Sequence, residues 1–223
     1  MVRLSVMTTS VRVLLVSTMI FCIFTGVVHL VRMFEFKPKM LFPVFFFLCL
    51  FVLWGVLGNK PPDVPLLRGE YIKRLNVFEG SRYLLGGETS GGIDCSGLAR
   101  SALWQAMLLE GVREVNPHLL GMKFWRFWWR DISASDILHC KYGYTKAIGT
   151  APKLAGYDTS DLKPGDLAVA SGIHVMIYVG DGKWIESSPG DKKVVTNKAS
   201  ASSKRGWFNV PVTLMRWWIL EDK

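Results

Sequence analysis

The chain has 223 residues, half of them hydrophobic, and carries 27 Lys and Arg against 18 Asp and Glu, a formal charge of +9. The basic residues are scattered and the aromatic stretches lack a nucleic-acid signature, so nucleic acid is excluded as a partner; an anionic lipid or cell-wall surface accounts for the sign. Four cysteines without paired Cys-x-x-Cys spacing exclude a zinc site, and neither a metal nor another cofactor is expected.

Two apolar runs without a formal charge open the chain, at about 13–31 and 40–57. Each is long enough to cross a hydrocarbon core at about 1.5 Å per residue. The short polar linker from Arg32 to Lys39 suits a tight helical hairpin. Pro43 falls in the first turn of the second run, where its missing N–H costs little, and Trp54 lies at the depth of an interfacial anchor. A cleaved leader fits poorly, because no alanine precedes Ala99 and no Ala-x-Ala site exists. Residues 1–59 therefore read as a two-helix transmembrane hairpin, with Cys22 and Cys49 as small apolar residues inside it.

Residues 60–78 form a linker and lead-in helix. Lys60-Pro61-Pro62-Asp63-Val64-Pro65 is a stiff spacer, and Leu66 to Phe78 has helical character. Residues 79–223, about 150 in number, suffice for one domain with a core. Glu79 to Gly92 is a glycine-rich loop. After Gly92-Ile93-Asp94-Cys95-Ser96-Gly97-Leu98 an apolar stretch reads as a helix, continued over Leu98 to Leu109 and ended by Gly111. Cys95 thus sits at a helix start, where free N–H groups and the helix dipole favour a thiolate.

The stretch from about 110 to 160 has no familiar pattern. Its run Met122-Lys123-Phe124-Trp125-Arg126-Phe127-Trp128-Trp129-Arg130 is open to three readings: core, a membrane-facing edge or a substrate wall. Strands are predicted at Asp166 to Ala170, Val175 to Val179, Lys183 to Glu186 and Val210 to Ile219. Pro164-Gly165, Asp181-Gly182 and Pro189-Gly190 mark the turns. Helices first and strands later indicate an α+β fold.

A cysteine nucleophile needs a base, and the base needs a group to hold its ring. His174 stands at the mouth of a strand that turns at Asp181-Gly182 and returns through Glu186. Cys95, His174 and Glu186 supply the three roles. The other histidines, His29, His118 and His139, open no such strand. Cys140 reads as a free thiol, since a disulfide to Cys95 would consume the nucleophile.

Four segments, in this order and spacing, resemble the NlpC/P60 family of papain-like cysteine peptidases. They are Tyr83-x-x-Gly86-Gly87, Asp94-Cys95-Ser96-Gly97-Leu98, Leu162-Lys163-Pro164-Gly165-Asp166-Leu167, and His174 through Gly182 with the polar residue on the return strand. The resemblance covers roughly 80 to 190. It implies a nucleophile helix packed on an antiparallel sheet, and hydrolysis of peptide bonds in bacterial peptidoglycan stem peptides through a thioester. It also implies that Tyr83 lines the site. From its place at a helix start the Cys95 N–H is the candidate oxyanion donor, and Asp94 and Ser96 are read as shaping that loop or contacting substrate. Two positions depart from the family pattern. Glu186 stands where His, Asn or Gln is usual, and Met176 where Gly is frequent.

The expectation is a hydrolase anchored in the bacterial inner membrane, with the lipid bilayer as partner. The flanking charges, Arg32, Lys37 and Lys39 between the runs against Arg3, Arg12, Lys60, Arg68, Lys73 and Arg74 outside them, favour a cytoplasmic domain. A wall substrate requires the opposite, and large domains translocate regardless of nearby charge, so an extracytoplasmic domain is expected on function. Two other readings stand beside this one. One is a papain-like acyltransferase or thioesterase acting on lipid or another acyl substrate, against which the order Cys before His counts. The other is an anchored binding module with an impaired site.

Overall fold

The computed structural model describes residues 61–221 and, before them, only positions 17, 18, 21, 22, 25, 26, 29, 45, 46, 49 and 50, all helical and exposed. The expected transmembrane hairpin, at 13–31 and 40–57, thus falls largely outside the described residues. Among the described residues no helix is long and apolar enough to cross a membrane.

The lead-in helix α1 spans Val64–Val77. Asp63 caps it by accepting from the Leu66 N–H at 3.0 Å, and Pro65 occupies its first turn, where no N–H is needed. Leu67, Tyr71 and Leu75 recur every four residues and are fully buried, so one stripe of α1 faces the core. Arg68 ties the helix to distant chain, donating to Pro164 O at 2.9 Å and Leu220 O at 2.8 Å. The Tyr71 hydroxyl donates to Ala99 O and accepts from Trp217 Nε1, which joins α1 to the nucleophile helix and the sheet.

The short strands β1 (Glu88–Thr89) and β2 (Gly92–Ile93) form a small antiparallel ladder just ahead of α2 (Cys95–Arg113). Then come α3 (Pro117–Leu120), α4 (Met122–Trp129) and α5 (Ala134–Leu138). The strands β3 (Thr145–Ala151), β4 (Leu167–Ala170), β5 (His174–Gly180), β6 (Lys183–Ser188), β7 (Lys193–Lys198) and β8 (Val212–Trp217) build one sheet in the order β3-β8-β4-β5-β6-β7. Every neighbouring pair is antiparallel. The fold is therefore α+β, as the order of elements in the sequence implies.

Alternation along the strands separates two cores. Leu167, Val169, Val175, Ile177, Ile185, Val194, Met215 and Trp217 pack against Leu98, Ala99, Ala102, Leu103 and Ala106 of α2. The alanines keep that helix close to the sheet. On the other face Ala168, Met176, Tyr178, Trp184 and Leu214 are covered by Leu154, Ala155 and Phe208. The β5–β6 hairpin turns at Asp181 and Gly182, both at positive φ (53° and 68°). That is the paired left-handed conformation a two-residue hairpin turn needs, and Asp-Gly is suited to it.

Several sequence expectations shift. The nucleophile helix does not end at Gly111 but runs on to Arg113. Gly111 is a packing residue: a Cβ there would come within 2.7 Å of the Leu120 side chain. The 110–160 stretch folds into α3, α4, α5 and β3. Within the aromatic run, Phe124 and Phe127 enter the core, and Phe127 meets Tyr144, Trp217 and Trp218 edge-on. Strands β3 and β7, both at the sheet edges, were not predicted.

Candidate active site

The nucleophile loop is built from close approaches. Asp94 caps α2 with one carboxylate oxygen, which accepts from the Gly97 N–H at 2.6 Å and the Ser96 hydroxyl at 3.0 Å. Its other oxygen accepts from the Gly86 N–H at 2.8 Å. Gly86 has φ +74°, a conformation that favours glycine. At Gly97 a Cβ would lie 2.3 Å from Gly87 O, so only glycine lets the helix start lie against the Tyr83-to-Gly87 loop. The spacing of these motifs thus has a mechanical cause: the loop, the cap and the helix start form one unit that fixes Cys95.

Cys95 is 7% exposed. Its thiol faces Ile173 O at 3.9 Å, while the N–H groups of Val175, Ser96 and Cys95 itself point at the sulfur. The sulfur therefore abuts the peptide groups on both sides of His174. The helix start alone would favour a thiolate, but burial outweighs it. Burial first, and then the Asp94 carboxylate, push the thiol pKa up to about 12 against the pull of those N–H groups. Burial thus favours the protonated thiol over the thiolate at this position.

His174 and Glu186 lie on neighbouring antiparallel strands, on the same face, and both are buried. The ring Nε2–H donates to Glu186 Oε2 at 2.5 Å, since a carboxylate can only accept. The bond fixes the tautomer and leaves Nδ1 as the unprotonated nitrogen of the neutral ring. Two residues that sequence reading did not single out complete the arrangement. Arg205 Nε donates to the remaining Glu186 oxygen at 3.2 Å, and its guanidinium also pairs with Asp191. Trp207 stacks on the imidazole, with ring centres 4.4 Å apart and planes 17° from parallel. The carboxylate is thus held between a ring N–H and a guanidinium, and the ring is held by an indole face.

Of the other predicted residues, Tyr83 is beside Cys95 and Asp94. Burial first, then repulsion between its ionised form and the neighbouring Cys95 and Asp94, raise its phenol pKa. Asp94 and Ser96 spend their bonds on each other and on the loop. Cys140 has φ +51° and precedes a short 3-10 turn, and all four cysteines are free. Met176 is fully buried in the second core, on the strand face that also carries His174. Among the described residues no three His, Cys, Asp or Glu side chains are placed to share a metal ion.

The model of the NlpC/P60 family matches residues 80–211, which takes in every residue of this arrangement. The chain belongs to the NlpC/P60 family. Solved structures similar to it include the NlpC/p60 domain of the peptidoglycan hydrolase SagA, at 20% identity and a TM-score of 0.41, with 67% of this chain and 97% of that one covered. Another is the peptidoglycan hydrolase RipB of Mycobacterium tuberculosis, at 22% identity and a TM-score of 0.43, covering 68% and 65%. A third is the P60 domain of the M. avium subspecies paratuberculosis antigen MAP1204, at 20% identity and a TM-score of 0.43, covering 71% and 98%. No curated protein matched the chain.

Next to the His174–Trp207 stack this NlpC/P60 domain has an open cleft of about 470 Å³, lined by Ser188, Asp191, Arg205, Trp207 and Val210 among others. Arg205 and Trp207 lie in the connection before β8, where no periodicity marks them. The one sequence signal was a basic and aromatic cluster, Arg205-Gly206-Trp207-Phe208, in an otherwise small and polar loop. Loops on a rigid scaffold are where functional side chains concentrate.

Proposed function

We propose that the protein is a cysteine peptidase or amidase that hydrolyses peptide bonds in bacterial peptidoglycan stem peptides. The observation that carries this reading is the buried His174–Glu186 hydrogen bond on the strand whose backbone, at Ile173 and Val175, faces the thiol of Cys95. Because burial favours the thiol over the thiolate, attack and proton transfer are coupled: His174 Nδ1 takes the thiol proton as sulfur adds to the carbonyl. The imidazolium formed is stabilised by Glu186, and the Cys95 N–H faces the developing oxyanion. His174 then protonates the leaving amine, and water, activated by the same ring, clears the thioester. Substrate lies in the cleft beside Trp207, at the Asp191–Arg205 pair. The apolar runs before residue 60 anchor the protein in the inner membrane, with the NlpC/P60 domain on the extracytoplasmic side, where the wall is.

The test incubates the full-length protein in detergent with isolated wall peptides and resolves the products by mass spectrometry. New fragments with free amino and carboxyl ends are expected. Cys95→Ser should abolish them, since a hydroxyl at that position is far less nucleophilic, and Cys140→Ser should leave them unchanged. Product formation by Cys95→Ser, or its loss in Cys140→Ser alone, would overturn the assignment.

A further inference from the structure

Helix α4 presents three distinct stripes. Phe124 and Phe127 are buried in the core, whereas Met122, Trp125 and Trp129 are 58%, 54% and 41% exposed. The spacing i, i+3, i+7 puts those three on one line down the helix. Lys123 and Arg126, also exposed, follow i, i+3 along the adjacent line. Arg130, just past the helix end, continues that line and stacks on Tyr142, its guanidinium carbon 3.9 Å from the ring centre. Lys123 lies over the Trp218 ring at 4.7 Å, with Glu221 nearby. A short helix with tryptophans and a methionine outward, and cations along one flank, has the composition of a segment that lies in a lipid headgroup layer.

A second observation places that helix relative to the rest of the chain. Pro61, Pro62, Asp63 and Leu66, where the chain leaves the apolar runs, line a cavity of about 220 Å³ together with Asn116 and Leu119. Asn116 caps α3, whose last residue, Leu120, is two positions before Met122. The segment entering from the apolar runs thus packs against the residues that lead into α4. Leu66, Val112 and Val115, on the same stretches of chain, are exposed apolar residues as well.

We infer that the Met122–Trp129 helix docks on the surface of an anionic bilayer, with Met122, Trp125 and Trp129 in the headgroup layer and Lys123 and Arg126 on lipid phosphates. The docking holds the catalytic domain against the membrane instead of leaving it free on the Pro61-Pro62 spacer. The inference takes its bilayer from the anchoring proposed above, and its test separates the two.

Full-length protein is reconstituted in nanodiscs of phosphatidylglycerol or of phosphatidylcholine, and hydroxyl-radical oxidation is read residue by residue by mass spectrometry. Met122, Trp125 and Trp129 should oxidise several-fold more slowly in the anionic discs, while Ile173, 71% exposed, keeps its rate. Lys123→Glu with Arg126→Glu, or high salt, should restore oxidation. Equal oxidation in both lipids overturns the inference. So does protection that grows with protein concentration in detergent, which would assign the face to a second copy, or protection by wall peptide without lipid, which would assign it to substrate. Anchoring is scored separately by alkaline carbonate extraction of membranes. If the protein is extracted, the anchor reading fails, and the footprint with added anionic vesicles still decides the helix.

Discussion

At Glu186 a carboxylate with no solvent exposure has both oxygens bonded, one to His174 and one to Arg205. A buried charge of this kind is tolerated only because it is paired and hydrogen-bonded. The arrangement explains how Glu can stand where the family usually has a neutral or basic third residue: Arg205, itself held by Asp191, supplies the opposing charge. Glu186→Gln should retain activity within about tenfold, because an amide oxygen still accepts the ring N–H, whereas Glu186→Ala should lose about a hundredfold or more. Arg205→Met should cost about 2 kcal/mol of stability in chemical denaturation by removing a charged hydrogen bond from a buried acceptor. Equal rates for wild type, Gln and Ala would show that Glu186 does not orient the base. Cys95 gives a pH prediction. A thiol pushed up to about 12 stays protonated through the neutral range, so alkylation by iodoacetamide should rise about tenfold per pH unit from 7 to 10 without levelling. A plateau beginning near pH 6 or 7 would mean a preformed thiolate and sink the coupled proton transfer. The sign carries over to stability. The folded-state value lies above the unfolded one, so burial of the thiol stabilises the fold below about pH 9, and that contribution is lost as pH rises towards 12.

At the scale of elements, what the sequence revealed depended on how strongly local chemistry constrained each piece. The helix from Cys95 and the β5–β6 hairpin were legible because each carries a cap or a turn with few chemical solutions: Asp94 before the helix, Asp181-Gly182 in the turn. His174 and Glu186 could be paired because the hairpin sets their register. Strand β3 was not legible, since five consecutive positions, 146–150, are exposed and no alternation marks it. Edge strands of this kind are written by their neighbour, here β8, more than by their own pattern. Gly111 was read as a stop because glycine usually ends helices, and its real constraint, the Leu120 side chain, is a tertiary one. Arg205 and Trp207 reach the site through tertiary folding alone. The glycine argument can be tested within the same elements. Gly97→Ala pushes a Cβ to 2.3 Å from backbone that cannot yield, and should lower stability by about 1–3 kcal/mol in thermal or chemical unfolding. Gly69→Ala, in an exposed position of α1 with nothing within 4 Å, should instead raise it by about 1 kcal/mol. A neutral Gly97→Ala would mean that the close approach of helix and loop is not what holds Cys95.

For the whole molecule, the proposed anchoring leaves open on which side of the membrane the domain would stand. The flanking-charge count that favoured the cytoplasm draws on Arg68, Lys73 and Arg74. The fold engages all three within the domain: Arg68 is buried against the Pro164 and Leu220 carbonyls, and Lys73 and Arg74 both pair with Glu70. Without them Arg3, Arg12 and Lys60 face Arg32, Lys37 and Lys39, three against three, and the count loses its preference. The proposed wall substrate then argues for the extracytoplasmic side. Native thiols would report this poorly, since Cys95 is buried and Cys140 is only partly accessible. Lys153→Cys puts a thiol at an exposed position in the loop after β3. In intact spheroplasts a membrane-impermeant maleimide should label it above the wild-type background before lysis, with little gained afterwards. Labelling that needs lysis would place the domain in the cytoplasm and turn the substrate from the intact wall to peptides recovered from it.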